Sequence, residues 1–152
     1  MATATISHGA GIVIIRKAQT DDADRLLPLA MDLATSFDVD PDAFRKSFER
    51  CLQDESAMVL VAEDDSMLVG YLLGFDHLAF YANGRVSTVE ELYVLPQHRR
   101  KGIGKTLMVE FEKWSRSRSS ARVLVCTRRA SDFYTAIGYE ETATCFRNVM
   151  KR

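Results

Sequence analysis

No stretch of this sequence approaches the ~20 consecutive apolar residues that a membrane-spanning helix requires. The opening MATATISHGA also lacks the basic segment and long apolar run of a secretory signal, so a cytoplasmic location is expected. An excess of positive charge is missing too: 20 Lys and Arg stand against 21 Asp and Glu, a net charge of −1. That excludes wholesale attraction to nucleic acid or anionic lipid, so any phosphate binding must come from local charge. Only three cysteines occur, Cys51, Cys126 and Cys145, without C-x-x-C spacing. They predict neither a disulfide framework nor a zinc site, and three buried thiols in a reducing compartment are expected. His8 and His98 have no partner at ligand spacing, so no metal site is expected either. Internal repeats and linker-like tracts are absent.

What is present suits one domain with a sizeable core. The chain has 152 residues, 47% of them hydrophobic and 27% charged. Residues 1–10, small and polar, are expected as a flexible tail, with a single domain over 11–152. IVIIRKA (12–18) reads as a buried strand. TDDADRLLPLAMDLATSF then starts a helix, with Thr20 or Asp21 as its cap and Pro28 as the place where it kinks or breaks. DPDAFRKSFERCL begins a second helix at Asp40 and Pro41, with Phe44, Phe48 and Cys51 or Leu52 on one face. AMVLVAEDDSMLVGYLLGF predicts two antiparallel strands joined by a tight turn at Asp64-Asp65-Ser66. VSTVEELYVL is a further strand, closed by Pro96.

From Gly102 the apolar period changes. Ile103, Leu107, Phe111 and Trp114 form the stripe of an amphipathic helix. RVLVCT is a short strand, SDFYTAI a short helix between Ser131 and Gly138, and YEETATCFRNVMKR supplies the last strand or strands. The predicted order is β-α-α-β-β-β-α-β-α-β, a mixed α/β (α+β) architecture with its longest helix against the sheet.

The densest chemistry lies in QHRRKGIGKTLM (97–108). Its Gly104-Lys105-Thr106 ending resembles a nucleotide-binding P-loop, but that pattern needs glycine where Arg99 stands. G-x-G-x-x-G fails as well, because Leu107 occupies the third glycine position. What remains is strand, proline, Arg99-x-x-Gly102-x-Gly104, helix. A helix start exposes unpaired N–H groups and about half a positive charge. Glycines let the backbone close on an anion, and Arg99, Arg100, Lys101 and Lys105 add charge with no acid among them. The arrangement suits a pyrophosphate.

Here the sequence resembles a known family, the GNAT superfamily of acetyl-CoA-dependent N-acetyltransferases. VEELYVLPQHRRKGIGKTLM is similar to its fourth strand, turn and [QR]-x-x-G-x-[GA] signature. ASDFYTAIGYEE is similar to its A-x-x-F-Y-x-x-x-G-F block. The resemblance implies a GNAT-like acyl-CoA N-acyltransferase fold: a mixed, mostly antiparallel sheet flanked by helices, with splayed central strands that bind CoA. It implies that Arg99, Arg100, Lys101, Gly102, Ile103, Gly104 and Lys105 hold the pyrophosphate, while Leu92, Tyr93 and Val94 pair with the pantetheine arm and supply an oxyanion donor. Tyr134 matches the tyrosine that lies near the thioester sulfur and protonates the leaving thiolate. Thr127 departs from the pattern, since the family often has Asn there.

The resemblance further implies direct transfer of acetyl from acetyl-CoA to an amine, without a covalent enzyme intermediate. An amine of pKa ~10.4 must first lose a proton. Glu90 and Glu91, on the strand before the pantetheine segment, are the candidate bases. Strand alternation places them on opposite faces and favours Glu90, which then shares a face with Thr88 and Leu92. His77, Tyr81, Asp38 and Asp40 fall where relatives bind the acceptor. A small-molecule amine is the expected acceptor. A protein N-terminus or lysine is the second reading, a CoA-binding module without catalysis the third, and a basic nucleic-acid-binding turn the last. A homodimer is a family expectation alone.

Overall fold

The computed structural model describes residues 4–9 and 11–150. Six strands form one sheet in chain order: β1 (Ala4–His8), β2 (Gly11–Lys17), β3 (Ala57–Asp64), β4 (Met67–Ala79), β5 (Gly84–Val94) and β6 (Ser120–Val125). Neighbours run antiparallel from β1 to β5, and β6 lies parallel to β5. A parallel neighbour needs a crossover connection. Here it is α3 (Ile103–Ser117), the longest of four helices, the others being α1 (Ala23–Leu33), α2 (Pro41–Gln53) and α4 (Ser131–Ala136).

Each face of the sheet buries its own core. On one face Ile103, Leu107, Met108 and Phe111 of α3 pack with Val13, Ile15, Leu60, Val69, Leu72 and Val89. On the other, Leu26, Leu29 and Ala30 of α1 and Phe48 of α2 cover Val59, Val61, Leu68 and Tyr71. The strand period of two and the helix period of 3.6 both appear in the sequence, which is why these elements are legible there. The β3–β4 turn is equally local. Asp65 and Ser66 both take positive φ, 46° and 68°, the two-residue turn whose twist matches the flanking strands. Asp40 caps α2, its carboxylate accepting from the Ala43 amide at 2.7 Å.

Five expectations change. Ala4–His8 is an edge strand paired with β2, not a tail; Ile6, half-buried, packs on the α3-side core. Pro28 leaves α1 unbroken, and its cap is not Thr20 or Asp21. A short 3-10 turn, Thr20–Asp22, precedes the helix, and the Asp22 carboxylate accepts from the Gln19 amide at 2.7 Å. At the other end, residues 139–150 enter no strand. Cys126 and Cys145 are joined as a disulfide, leaving Cys51 as the free thiol. Their separation of 19 residues carries no signature that a sequence reader could use.

Two ion networks lock the frame. Asp22 is fully buried and receives Arg16 and Arg25, which also reach Glu63. Burial opposes ionisation of Asp22, but the hydrogen bonds from Arg16, the Gln19 amide and Arg25 outweigh it and hold its carboxyl below the usual range. Asp76, equally enclosed, takes Arg85 from β5 and Arg118 from beyond α3, and its carboxyl is held down likewise.

Gly74 of β4 permits the closest approach of α3: a Cβ there would collide with the ring of Phe111. Gly74→Ala should therefore lower stability by about 1–3 kcal/mol. Thermal unfolding checks this, and Phe111→Leu in the same chain should recover part of the loss. Thiol titration of the unfolded, unreduced protein should find one reactive cysteine per chain, Cys51; three would refute the Cys126–Cys145 bridge.

Candidate active site

The site begins with a break in pairing. β5 and β6 run side by side through Val89, which pairs with Val125. There β6 ends, while β5 continues to Val94 on its β4 side, from Glu91 opposite Leu73 to Val94 opposite Gly70. The β6-facing edge of residues 90–94 is thus without a strand partner, and a gap opens between β5 and the segment leaving β6.

At the same point β5 carries a bulge. Val89 faces Gly74 and Glu91 faces Leu73, so Glu90 is an extra residue with no opposite number. The bulge cancels strict alternation, on which the preference for Glu90 rested. Val89 and Leu92 both belong to the α3-side core. Glu90 is exposed. Glu91 instead turns toward α1 and α2, where its carboxylate accepts a hydrogen bond from the hydroxyl of buried Tyr71 at 2.9 Å. Burial raises the Glu91 pKa above the ordinary carboxylate value, the Tyr71 hydrogen bond counteracts this, and the Glu90 charge adds to the rise. Leu92 and Val94 pack on the α3 side and Tyr93 on the α1 side, so their side chains serve the cores.

Beyond Val94 the chain makes a 3-10 turn, Pro96–His98, then enters the glycine loop. Arg100 and Gly102 take positive φ, 61° and 81°; alternating such residues with ordinary ones turns successive amides toward one point. The first helical bond of α3 runs from the Thr106 amide to the Gly102 carbonyl, at 3.0 Å. The amides of Ile103, Gly104 and Lys105 precede it and have no helical acceptor. Arg100, Lys101 and Lys105 are exposed and enter no ion pair among the described residues. Arg99 behaves differently: its Nε donates to the Val94 carbonyl at 2.8 Å and its guanidinium lies 5.4 Å from the Tyr93 ring. It braces the loop against the end of β5. The loop therefore suits a polyphosphate through backbone amides and three free cations.

Behind the loop, Gly104 touches α4. A Cβ on it would sit 3.2 Å from the Phe133 ring. Phe133 is edge-on to Tyr134, and Tyr134 to Tyr139, at 4.9 and 5.8 Å between centroids. Tyr134 is buried in the α3-side core, and burial pushes its pKa up to about 12, which keeps it a proton donor at neutral pH. Thr127 accepts from the Ala130 amide at 3.0 Å and so shapes the entry to α4. Gly138, at φ 96°, ends that helix in a Schellman turn, with the Tyr139 amide bonding the Tyr134 carbonyl.

The chain matches the model of the Acetyltransferase (GNAT) family over residues 24–139. It belongs to that family. Among curated relatives, an uncharacterised N-acetyltransferase of Bacillus subtilis is 26% identical over 141 residues, covering 84% of this chain and 89% of that one. The aminoalkylphosphonate N-acetyltransferase of Salmonella typhimurium is 26% identical over 132 residues, 84% of this chain and 85% of that one. The aminoglycoside N(6')-acetyltransferase AAC(6')-Iy, solved with CoA, superposes with a TM-score of 0.83 at 20% identity, over 97% of this chain and all of that one. The protein is an acetyl-CoA-dependent N-acetyltransferase, with the mixed, helix-flanked sheet of its relatives.

The expected acceptor residues divide. Asp40 is committed to capping α2. Tyr81 lies beneath the Arg122 guanidinium at 5.1 Å, drawn toward β6. His77 is exposed and opposite Val86, three residues before Val89 and so ~10 Å along the strand from the bulge. Asp38 is exposed on the α1–α2 connection. Among the described residues, none of the four bonds to Glu91. Two arginines missed in the sequence are better placed. Arg128 reaches Thr35 and Ser36 at 3.3 and 3.4 Å, and Arg147 reaches Ser36 at 2.8 Å. Arg128 ties the α1–α2 connection to the segment leaving β6, and Arg147 ties it to the C-terminal stretch after α4.

A bulkier residue at Gly104 should push Phe133 away and deform the loop at once. Gly104→Val is expected to weaken acetyl-CoA binding at least tenfold by calorimetry, while far-UV circular dichroism stays that of the parent. Unchanged affinity would remove Gly104 from the binding loop.

Proposed function

We propose that this enzyme acetylates a primary amine of a small molecule, by direct attack on acetyl-CoA in a ternary complex. The observation that supports the reading is that two side chains able to handle a proton belong to opposite faces of the sheet. Glu91 belongs to the α1–α2 face of the sheet and Tyr134 to the α3 face. A thioester lying in the gap between β5 and β6, its pyrophosphate on the amides of residues 99–105, has the base on one face and the acid on the other.

The chemistry then balances. At pH 7 an ordinary alkylammonium lies ~3.4 units below its pKa, a cost of about 4.6 kcal/mol to deprotonate. The Glu91 carboxylate takes that proton, directly or through a water. The amine nitrogen bonds to the thioester carbon, and the carbonyl oxygen gains charge against an unpaired β5 amide. The carbon–sulfur bond breaks as Tyr134 donates its proton to the departing thiolate; the second N–H proton of the adduct passes through water to the resulting phenolate, leaving a neutral amide, and Glu91 gives up its proton to solvent. Of the two glutamates, Glu91 is taken as the base because burial strengthens its basicity, whereas Glu90 is the solvated residue of the bulge.

A small acceptor is favoured over a protein by Arg128 and Arg147. Their bonds to Thr35 and Ser36 bridge one side of the opening, which leaves less room for an extended peptide. Relatives named for aminoglycosides and aminoalkylphosphonates agree with that class. A cytoplasmic location belongs to the same reading, since acetyl-CoA is the donor. The disulfide opposes it, because such bonds are rare in reducing compartments.

Free-thiol release from acetyl-CoA, measured over a panel of aminoglycosides, polyamines, aminophosphonates and lysine peptides, tests the acceptor class. Turnover confined to peptides would overturn the small-molecule reading. Glu91→Gln should lower kcat by about 10²–10⁴-fold. It should also abolish the loss of activity on acidification, because the group whose protonation causes that loss is gone. Tyr134→Phe should lower kcat while acetyl-CoA affinity is kept.

A further inference from the structure

We infer that Tyr71 is a positioning residue for acetyl transfer: from β4, its enclosed hydroxyl holds the Glu91 carboxylate in place beside the gap. The inference rests on Glu91 being the base, and adds a residue that no sequence motif marks.

The case starts from cost. Tyr71 is 1% exposed, among Leu26, Leu29, Phe48, Val59, Val61 and Leu68. Phenylalanine would fill the same space without burying a hydroxyl, and an unpaired buried hydroxyl is costly. Tyr71 donates its hydroxyl to the Glu91 carboxylate. Position 91 is costly as well, since an aliphatic side chain would pack there without desolvating a charge. A buried phenol paired with a half-buried carboxylate is the kind of costly arrangement that clusters at functional sites.

The surroundings give the pair its direction. α1 contributes Leu26, Leu29, Ala30 and Leu33 to this cluster, none of them charged. α2 brings the Cys51 thiol, with Arg50 and Asp54 about it and Glu91 close enough to affect it. β5 adds the Glu90 carboxylate and the Tyr93 phenol, and β4 the Tyr71 phenol. No cation takes up the Glu91 carboxylate among the described residues, so the phenol is what restrains it. One oxygen, Oε2, is engaged by Tyr71. The other oxygen is left to accept the proton. Burial and the Glu91 charge drive the Tyr71 pKa far upward, so Tyr71 remains the donor at any working pH. A hydrogen bond to the charged form lowers a carboxyl pKa, and Tyr71 thereby offsets part of what burial does to Glu91.

The sign of the test follows. Without the phenol, Glu91 protonates at higher pH, so the acidic limb of the kcat/KM profile moves up. Tyr71→Phe should shift that limb upward by roughly one to two pH units. Acetyl-CoA affinity should be unchanged, and little further loss should follow in a Glu91→Gln background. A limb that stays in place, or a loss that simply multiplies that of Glu91→Gln, would make Tyr71 structural only. The two levels separate cleanly. Full activity in Glu91→Gln sinks the base reading, whereas a damaged Glu91→Gln with an unshifted Tyr71→Phe profile sinks only the positioning role. Should Tyr71→Phe fail to fold, Glu91→Asp keeps Tyr71 but draws the carboxylate back by one methylene. Aspartate is intrinsically the stronger acid, so an upward-shifted limb there supports the inference and a downward or unmoved one overturns it.

Discussion

The parting of β5 from β6 after Val89 and Val125 is the constraint on which the site depends. A parallel pair cannot be closed by a hairpin, so α3 must cross over, and its start is delivered beside the strand end that has lost its partner. Exposed strand edge, unpaired helix amides and glycine loop therefore arrive together. The bulge at Glu90 sits at the same point and turns Glu91 to the opposite face from Leu92. The end of one ladder thus opens the gap, and an irregularity in the next one sets the face that Glu91 takes.

An opened sheet needs stiffening elsewhere. Phe111 fills the space over Gly74, directly opposite the bulge, and buries the back of the split. Asp76 gathers Arg85 and Arg118, clamping β4, β5 and the end of α3 where β5 and β6 still pair. Asp22, with Arg16, Arg25 and Glu63, does the same for β2, β3 and α1. These arginines are consumed by the scaffold. Arg100, Lys101 and Lys105 of the glycine loop enter no such pair among the described residues, so a chain of net charge −1 still carries a locally basic loop.

Legibility followed range. The glycine loop, the α3 stripe, the β3–β4 turn and the Asp40 cap depend on residues within one or two turns of each other, and sequence reading found them. Its preference for Glu90 assumed an unbroken alternation, which an inserted residue in one strand does not announce. The Tyr71–Glu91 bond spans 20 positions and two strands, and Arg128 and Arg147 meet Ser36 from more than 90 positions away. The N-terminal strand was passed over because ATISH has too few large apolar residues to stand out; pairing with β2 supplies the order its own side chains do not. The expected last strand was a matter of residue type alone, and with Cys145 tied to Cys126 those residues do not enter the ladder.

By itself, then, the sequence determined most of the helices and central strands and the glycine turn before α3, because hydrophobic period, capping and glycine placement act over a few residues. The family and the acetyl donor follow from that turn and the block around Tyr134. Tertiary structure decided which glutamate is half-buried, what restrains it, and which distant segments Arg128 and Arg147 bind. Those depend on register and burial, and neither exists until strands far apart in the chain have paired.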